Sequence, residues 1–289
     1  MLDTPPMKRL LRWVVLTVAL VFSSALCALQ VGLRRFDRLV KRDVEALLAR
    51  ATTTAREAVV TEEMLKDLPE PVRRYLSHTG ILGKPFVDTV YLEQKGQMYL
   101  GAGQGWVPLE AEEHYTVQPP GFVWDATIHK GPLPIARGRD MYASGEGCML
   151  IKAGSLFTVV DDKGPEMDQG SMMRYLSEMI WFPTAFLDDK ISFGPIDDES
   201  ARVTLTDGGK SVSATMYFDE EGKVTDFVAK RYRAVEGGYD LETWSAPVYE
   251  YGELAGLKLP LRGGAVWKLP EGDLKYADIT ITHLEYDVA

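Results

Sequence analysis

The chain has 289 residues, 46% hydrophobic and 26% charged, with 32 basic and 42 acidic side chains and a formal net charge of −10. That is globular composition, and it excludes a largely disordered or fibrous chain. Only two cysteines occur, Cys27 and Cys148, which excludes a disulfide scaffold and a cysteine-based zinc cluster.

The charge is divided unevenly. Residues 1–43 hold eight basic and three acidic side chains, whereas 44–289 hold 24 basic and 39 acidic ones. An acidic body repels polyphosphate, so no nucleic-acid partner is expected. Between the basic clusters, Trp13 to Leu33 runs for 21 residues without a charge. As a helix it spans about 31 Å, close to the roughly 30 Å core of a bilayer, with Trp13 at the interface. The membrane is therefore an expected partner through Trp13 to Leu33. A cleaved signal has a shorter apolar run and a small-x-small site. Here the best match is Ala25-Leu26-Cys27, and the run ends in Arg34 and Arg35, so a retained single-pass anchor is expected. Three basic residues precede the run and five follow it, which by the positive-inside rule alone puts the acidic domain in the cytoplasm. A short N-terminal tail on a signal-like anchor argues for the extracytoplasmic side, the placement adopted as the expectation.

Residues 36–79 read as helical. Leu39, Val40, Val44, Leu47, Leu48 and Ala51 recur at spacings of three and four, which suits a stalk or a helix lying on the membrane. Thr61-Glu62-Glu63 resembles a helix start, Pro69 and Pro71 break that helix, and Val72, Tyr75 and Leu76 mark a further short one ending near Gly80. From about Val87 the period changes to two. Runs at 106–117, 121–130, 133–143, 147–152 and 155–161 are followed by 190–194, 201–206, 211–219, 224–234, 239–250, 257–268 and 274–286. Turn signals such as Asp207-Gly208-Gly209 and Glu221-Gly222 separate them. Ser171 to Leu187 interrupts the strands as one helix, capped by Ser171, covering a mouth or face of the sheet. The expected fold is mainly β: one large curved antiparallel sheet, a half-barrel or barrel, with an inserted helix. The expected division is an anchor over 1–35, a helical stalk and short helices over 36–80, and a β domain over 81–289.

Four segments carry a resemblance: Leu68-Pro69-Glu70-Pro71-Val72-Arg73-Arg74-Tyr75-Leu76, Pro119-Pro120-Gly121-Phe122-Val123-Trp124, Arg174-Tyr175-Leu176-Ser177-Glu178-Met179-Ile180-Trp181-Phe182-Pro183, and Gly263-Gly264-Ala265-Val266-Trp267-Lys268-Leu269-Pro270-Glu271-Gly272. In this order they resemble a bacterial family known only as a domain of unknown function, over about 65–289. That resemblance implies no activity and no catalytic residue. The architecture is also similar to LolA-like lipoprotein carriers of the bacterial envelope, which implies an open half-barrel around an apolar cavity.

Tests for chemistry are mostly negative. Gly208-Gly209-Lys210-Ser211 ends like a phosphate loop, but Thr204 stands where its first glycine belongs, so a hairpin turn is expected. Gly101-Ala102-Gly103-Gln104-Gly105 lacks dinucleotide-loop spacing and reads as a hairpin tip. No GxSxG elbow occurs. The four histidines form no HxH or HExxH pair. Glu110, Glu112 and His114 alternate on one strand face, the pattern of a cation site and equally of a solvated face. The acidic groups Asp161, Asp162, Glu166, Asp168 and Asp197, Asp198, Glu199 read as solvated loops. No cofactor, metal ligand or catalytic residue is assigned.

The aromatics carry the strongest signal. The candidate ligand-binding residues are Trp106, Trp124, Tyr142, Arg174, Glu178, Trp181, Trp244 and Trp267 around an apolar cavity, with Arg174 and Glu178 one helical turn apart as polar anchors. The expected function is a membrane-anchored β domain binding a lipid or other apolar ligand. Two alternatives stand beside it. An enzyme would use Asp125 or Glu178 near Tyr142 or His129 for acid–base work. An interaction protein would contact a membrane partner through 36–60.

Overall fold

In the computed structural model, residues 6–52, 59–131 and 133–288 are described. Residues 53–58 of the expected stalk lie outside them. Helix α1 (Pro6–Leu48) is continuous and is followed by two short helices, α2 (Glu62–Leu65) and α3 (Glu70–Thr79). Thr61 precedes α2 in extended backbone, but its hydroxyl makes no capping bond. α3 ends at Gly80, whose φ of 81° closes it in the left-handed conformation.

Six strands come next: β1 (Thr89–Tyr99), β2 (Trp106–Thr116), β3 (Gly121–Lys130), β4 (Leu133–Ala143), β5 (Glu146–Ala153) and β6 (Phe157–Lys163). Helix α4 (Pro165–Glu178) and two short 3-10 turns (Met179–Trp181 and Pro183–Leu187) lead into the second set. These strands are β7 (Ile191–Asp197), β8 (Ser200–Asp207), β9 (Lys210–Phe218), β10 (Val224–Val235), β11 (Gly238–Ser245), β12 (Val248–Leu254), β13 (Leu257–Leu269) and β14 (Gly272–Tyr286).

All strands join one antiparallel sheet in the order β6-β5-β4-β3-β2-β1-β14-β13-β11-β10-β9-β8-β7, with β12 also on β13. Among the described residues β6 and β7 do not pair, so the sheet is open. α4 packs against β4, β5 and β6 and also against β9 and β10, which stand far apart in that order. The sheet therefore curls around α4. Apolar side chains from its inner face, α3 and α4 make one continuous core.

Two sequence expectations need correction. The expected strand 239–250 is split into β11 and β12, because Pro247 has no N–H for the ladder. The inserted helix begins at Pro165, six residues before Ser171, and ends at Glu178. Proline in the first turn, with Glu166 and Asp168 beside it, is a helix start rather than an acidic loop. Asp168 is fixed there, accepting bonds from the Gly147 N–H at 2.7 Å and the Lys210 ammonium at 2.6 Å. Gly147 itself has to be glycine, since a Cβ would lie 2.6 Å from the Met167 carbonyl oxygen. Both glycine-rich motifs, 101–105 and 208–209, are hairpin turns.

The C-terminal half of α1 is not a free stalk. Phe36, Val40 and Leu47 are buried against Val123 and Leu150 on the outer face of the sheet. Two ion pairs hold this face, Asp37 with Arg137 at 2.9 Å and Asp43 with Arg139 at 3.0 Å. Asp43→Ala leaves the buried Arg139 guanidinium without its carboxylate. The expected cost is about 1.5–3 kcal/mol of docking free energy. Hydrogen exchange of 36–48 checks this, and unchanged protection refutes it.

Candidate functional site

Register builds the site. Glu113 on β2 stands opposite Trp124 on β3, and Trp124 opposite Asp140 on β4. These three side chains form a row on the inner face, and α4 lays Arg174 across it. The guanidinium sits 4.8 Å from the Trp124 ring and 5.0 Å from the Phe122 ring. It donates to Glu113, Asp140 and Glu178, each at 2.9 Å. The second oxygen of Glu113 accepts from Gln94 at 3.0 Å, and Gln94 in turn accepts from the Trp124 indole at 2.9 Å. Tyr115 donates to Glu178 at 3.1 Å.

One cation thus faces three carboxylates in a desolvated place. Burial pushes Glu113 well above the usual carboxylate range, against the pull of Arg174. Burial also raises Glu178. Burial alone would lower the Arg174 guanidinium, but Glu113, Glu178 and Asp140 hold it above its ordinary value. Arg174 is consumed by this cluster. It is a hub tying α4 to β2 and β4 rather than a free anchor.

Beside the cluster lies a cavity of about 200 Å³. Trp124, Trp181 and Trp244 supply aromatic walls, and small residues of β13 and β14, among them Gly263, Ala265 and Ala277, leave the room. The Trp181 indole is fixed by donating to the Pro260 carbonyl at 3.1 Å. Of the eight expected site residues, Trp124, Arg174, Glu178, Trp181 and Trp244 line this cavity. Three do not. Trp106 is on the outer face near one end of β2 and is 41% exposed. Tyr142 is buried elsewhere and donates to Asp207 at 3.0 Å. Trp267 stands behind Tyr276, stacked on its ring at 5.9 Å.

The expected acid–base partners are not brought together. Asp125 is on the outer face, bound by Arg137 at 2.6 Å, while Glu178 is inside. Glu110, Glu112 and His114 lie along the outward side of β2, where Glu110 pairs with Lys95 at 3.4 Å.

Arg231 was missed by sequence reasoning. It lines the cavity, with its guanidinium 4.9 Å over the Trp244 ring and one N–H reaching the Tyr276 hydroxyl at 3.3 Å. Its Nε is buried and has no acceptor among the described residues. Glu242 stands opposite it in register on β11, yet makes no ion pair with it. The available signal was a period-two one: Phe227, Ala229 and Arg231 share a strand face, and an arginine continuing an apolar face is unusual.

Residues 58–279 match a family of unknown function, DUF6544, and all four segments singled out in the sequence fall within that match. No curated protein matches the chain significantly. Among solved structures, the chain is similar to a LolA superfamily protein from Nitrosomonas europaea, at 9% identity, with 80% of this chain and 96% of that one covered and a TM-score of 0.42. It is also similar to a domain described as an outer membrane lipoprotein-sorting protein from Vibrio parahaemolyticus, at 8% identity, 70% and 86% coverage and a TM-score of 0.40. A porin-like protein from Bacteroides uniformis is similar at 9% identity, 70% and 98% coverage and a TM-score of 0.26.

Proposed function

We propose that this chain, which belongs to the DUF6544 family, is a membrane-tethered binding protein that takes a single apolar chain or ring into the cavity beside α4. The observation that carries this reading is the cavity of about 200 Å³ with aromatic and small apolar walls. An engineered apolar cavity of about 150 Å³ stays dry and holds benzene, so this one is large enough for a small apolar group. It is smaller than the roughly 300–1,000 Å³ of pockets for drug-sized ligands, which argues against a bulky multi-chain lipid. Arg231, which lines the cavity with its guanidinium over the Trp244 ring, is the charged group placed to meet an acceptor on the ligand's polar end.

The tether is α1. It is long and apolar enough to cross a membrane, and none of its most apolar stretch is buried against the protein. The β domain sits on the extracytoplasmic side in this reading, held next to the bilayer by residues 36–48.

The test is solvent extraction and mass spectrometry of the purified full chain, with titration of a fluorescent fatty acid. Saturable uptake at one site per chain is expected. A chain that carries no extractable apolar molecule and takes up no fatty acid overturns the reading.

A further inference from the structure

The packing of α1 continues into its apolar run. Leu29, Gly32, Phe36 and Val40, spaced three and four apart, are buried or half-buried, so the face of α1 that docks at Val44 and Leu47 runs back into the apolar segment. Phe36 and Val40 rest on the sheet, but Leu29 and Gly32 meet the β5–β6 turn. A Cβ on Gly32 would lie 2.7 Å from the Leu156 side chain and 2.9 Å from the Ser155 carbonyl oxygen, so glycine alone allows this approach. A Cβ on Gly154 would lie 3.9 Å from the Leu29 side chain.

These contacts set the depth of the turn. The uncharged run from Trp13 to Leu33 is about as long as a bilayer core is thick, with little length to spare. Leu29 lies about 6 Å inside its end, at 1.5 Å per residue. A turn touching Leu29 and Gly32 therefore reaches the level where lipid head groups meet the acyl chains.

The surface there suits that level. Phe157 is 72% exposed, Val159 65% and Leu133, at the start of β4, 66%. Phe157 and Val159 are on β6, the edge strand beyond β5, where exposed apolar side chains invite aggregation unless something covers them. On a chain that is otherwise acidic, Arg35 and Lys152 border the turn and Lys130 stands opposite Leu133. Arg34, Arg35 and Arg38 occupy the next turns of α1, and Lys152 and Lys130 stand near the ends of β5 and β3. An apolar tip bordered by basic side chains is the composition of an interfacial membrane contact.

We propose that the β5–β6 turn, with Phe157 and Val159 of β6 and Leu133, sits in the interfacial layer of the bilayer that α1 crosses. The proposal rests on α1 being the tether. It gives the β domain a second foothold beside the anchor and so fixes its tilt over the membrane.

The full chain with Cys27→Ala and Cys148→Ala, reconstituted in vesicles of phosphatidylcholine and phosphatidylglycerol, provides the test. A nitroxide is placed at Phe157→Cys, at Val159→Cys in a second variant, and at two reference positions. Glu146→Cys is at the other end of β5, about 23 Å of strand from Ala153. Leu20→Cys is in the middle of the apolar run. Collisions with oxygen, which concentrates in lipid, are compared with those of a water-soluble nickel chelate. The expected result is lipid-like access at 157, 159 and 20, and water-like access at 146. Water-like access at both 157 and 159 with lipid-like access at 20 overturns the foothold and leaves the tether. Water-like access at 20 overturns the tether and the foothold with it.

Discussion

Arg174→Met is expected to destabilise the folded chain by about 3–5 kcal/mol near neutral pH, the usual cost of stripping one partner from a buried ionic cluster. On the scale of a few degrees per kcal/mol, Tm falls on the order of 10 °C. The cause is local and specific. Glu113, Asp140 and Glu178 converge on a single guanidinium, and without it their carboxylates face one another away from water. Glu113→Gln in the Arg174→Met background removes one of those charges, so the double variant is expected to be more stable than Arg174→Met alone. An unchanged denaturation midpoint for Arg174→Met refutes the hub.

The same cluster sets a pH dependence whose sign follows from its raised carboxyls. Glu113 and Glu178 hold protons more tightly folded than unfolded, chiefly because they are buried. The stability they contribute is fully present below the ordinary carboxylate value and is lost as pH rises through their raised folded values. His114 and His78, both held low by burial, act in the opposite sense around their ordinary value of 6.5. The comparison must therefore be a difference. Denaturant midpoints of the wild type are expected to fall from mildly acidic to mildly alkaline pH relative to Glu113→Gln. Parallel curves for the two proteins refute the assignment.

Why the hub was half-legible can be said residue by residue. Arg174 and Glu178 lie four apart on a helix, and local spacing is visible in sequence. Glu113 and Asp140 belong to two strands, and they meet Arg174 only because the β2–β3–β4 register puts them on either side of Trp124. Register has no local signature, and a slip of one residue would have turned Glu113 outward. The strands themselves were readable, because period-two alternation and glycine turns are local signals. The openness of the sheet was not, since it depends on β6 and β7 failing to meet. Trp124, Trp181 and Trp244, three of the expected site residues, line the inner cavity. Trp106 shows the limit of that inference, because its strand neighbours Val107 and Leu109 take the inner face instead. The docking of 36–48 was also missed. Its apolar positions were seen, but the face they cover became evident only with Val123 and Leu150 in place.

Ala265→Leu is expected to weaken binding of an apolar ligand at least tenfold, equivalent to about 1.4 kcal/mol, while leaving Tm unchanged or raised. Ala265 and Ala277 are register partners on β13 and β14, and both form the wall of the cavity. A leucine there grows into empty space, where added methyl groups gain contacts instead of forcing strain. Binding and folding then move in opposite directions, which a merely structural role for Ala265 does not produce. Trp181→Ala provides the contrast: it widens the cavity, removes the indole bond to Pro260 and is expected to cost about 3–5 kcal/mol of stability. Arg231→Met completes the set. It keeps an unbranched side chain beside Trp244 but removes the guanidinium charge that lines the cavity, so it is expected to lower affinity for a fatty acid more than for its neutral alcohol. Fluorescent-ligand titration of the three variants, read beside their melting curves, decides the matter. If Ala265→Leu stabilises the fold and binding is untouched, the ligand is elsewhere and the space beside α4 is a packing void. If Arg231→Met weakens acid and alcohol equally, Arg231 shapes the wall and does not read the head group.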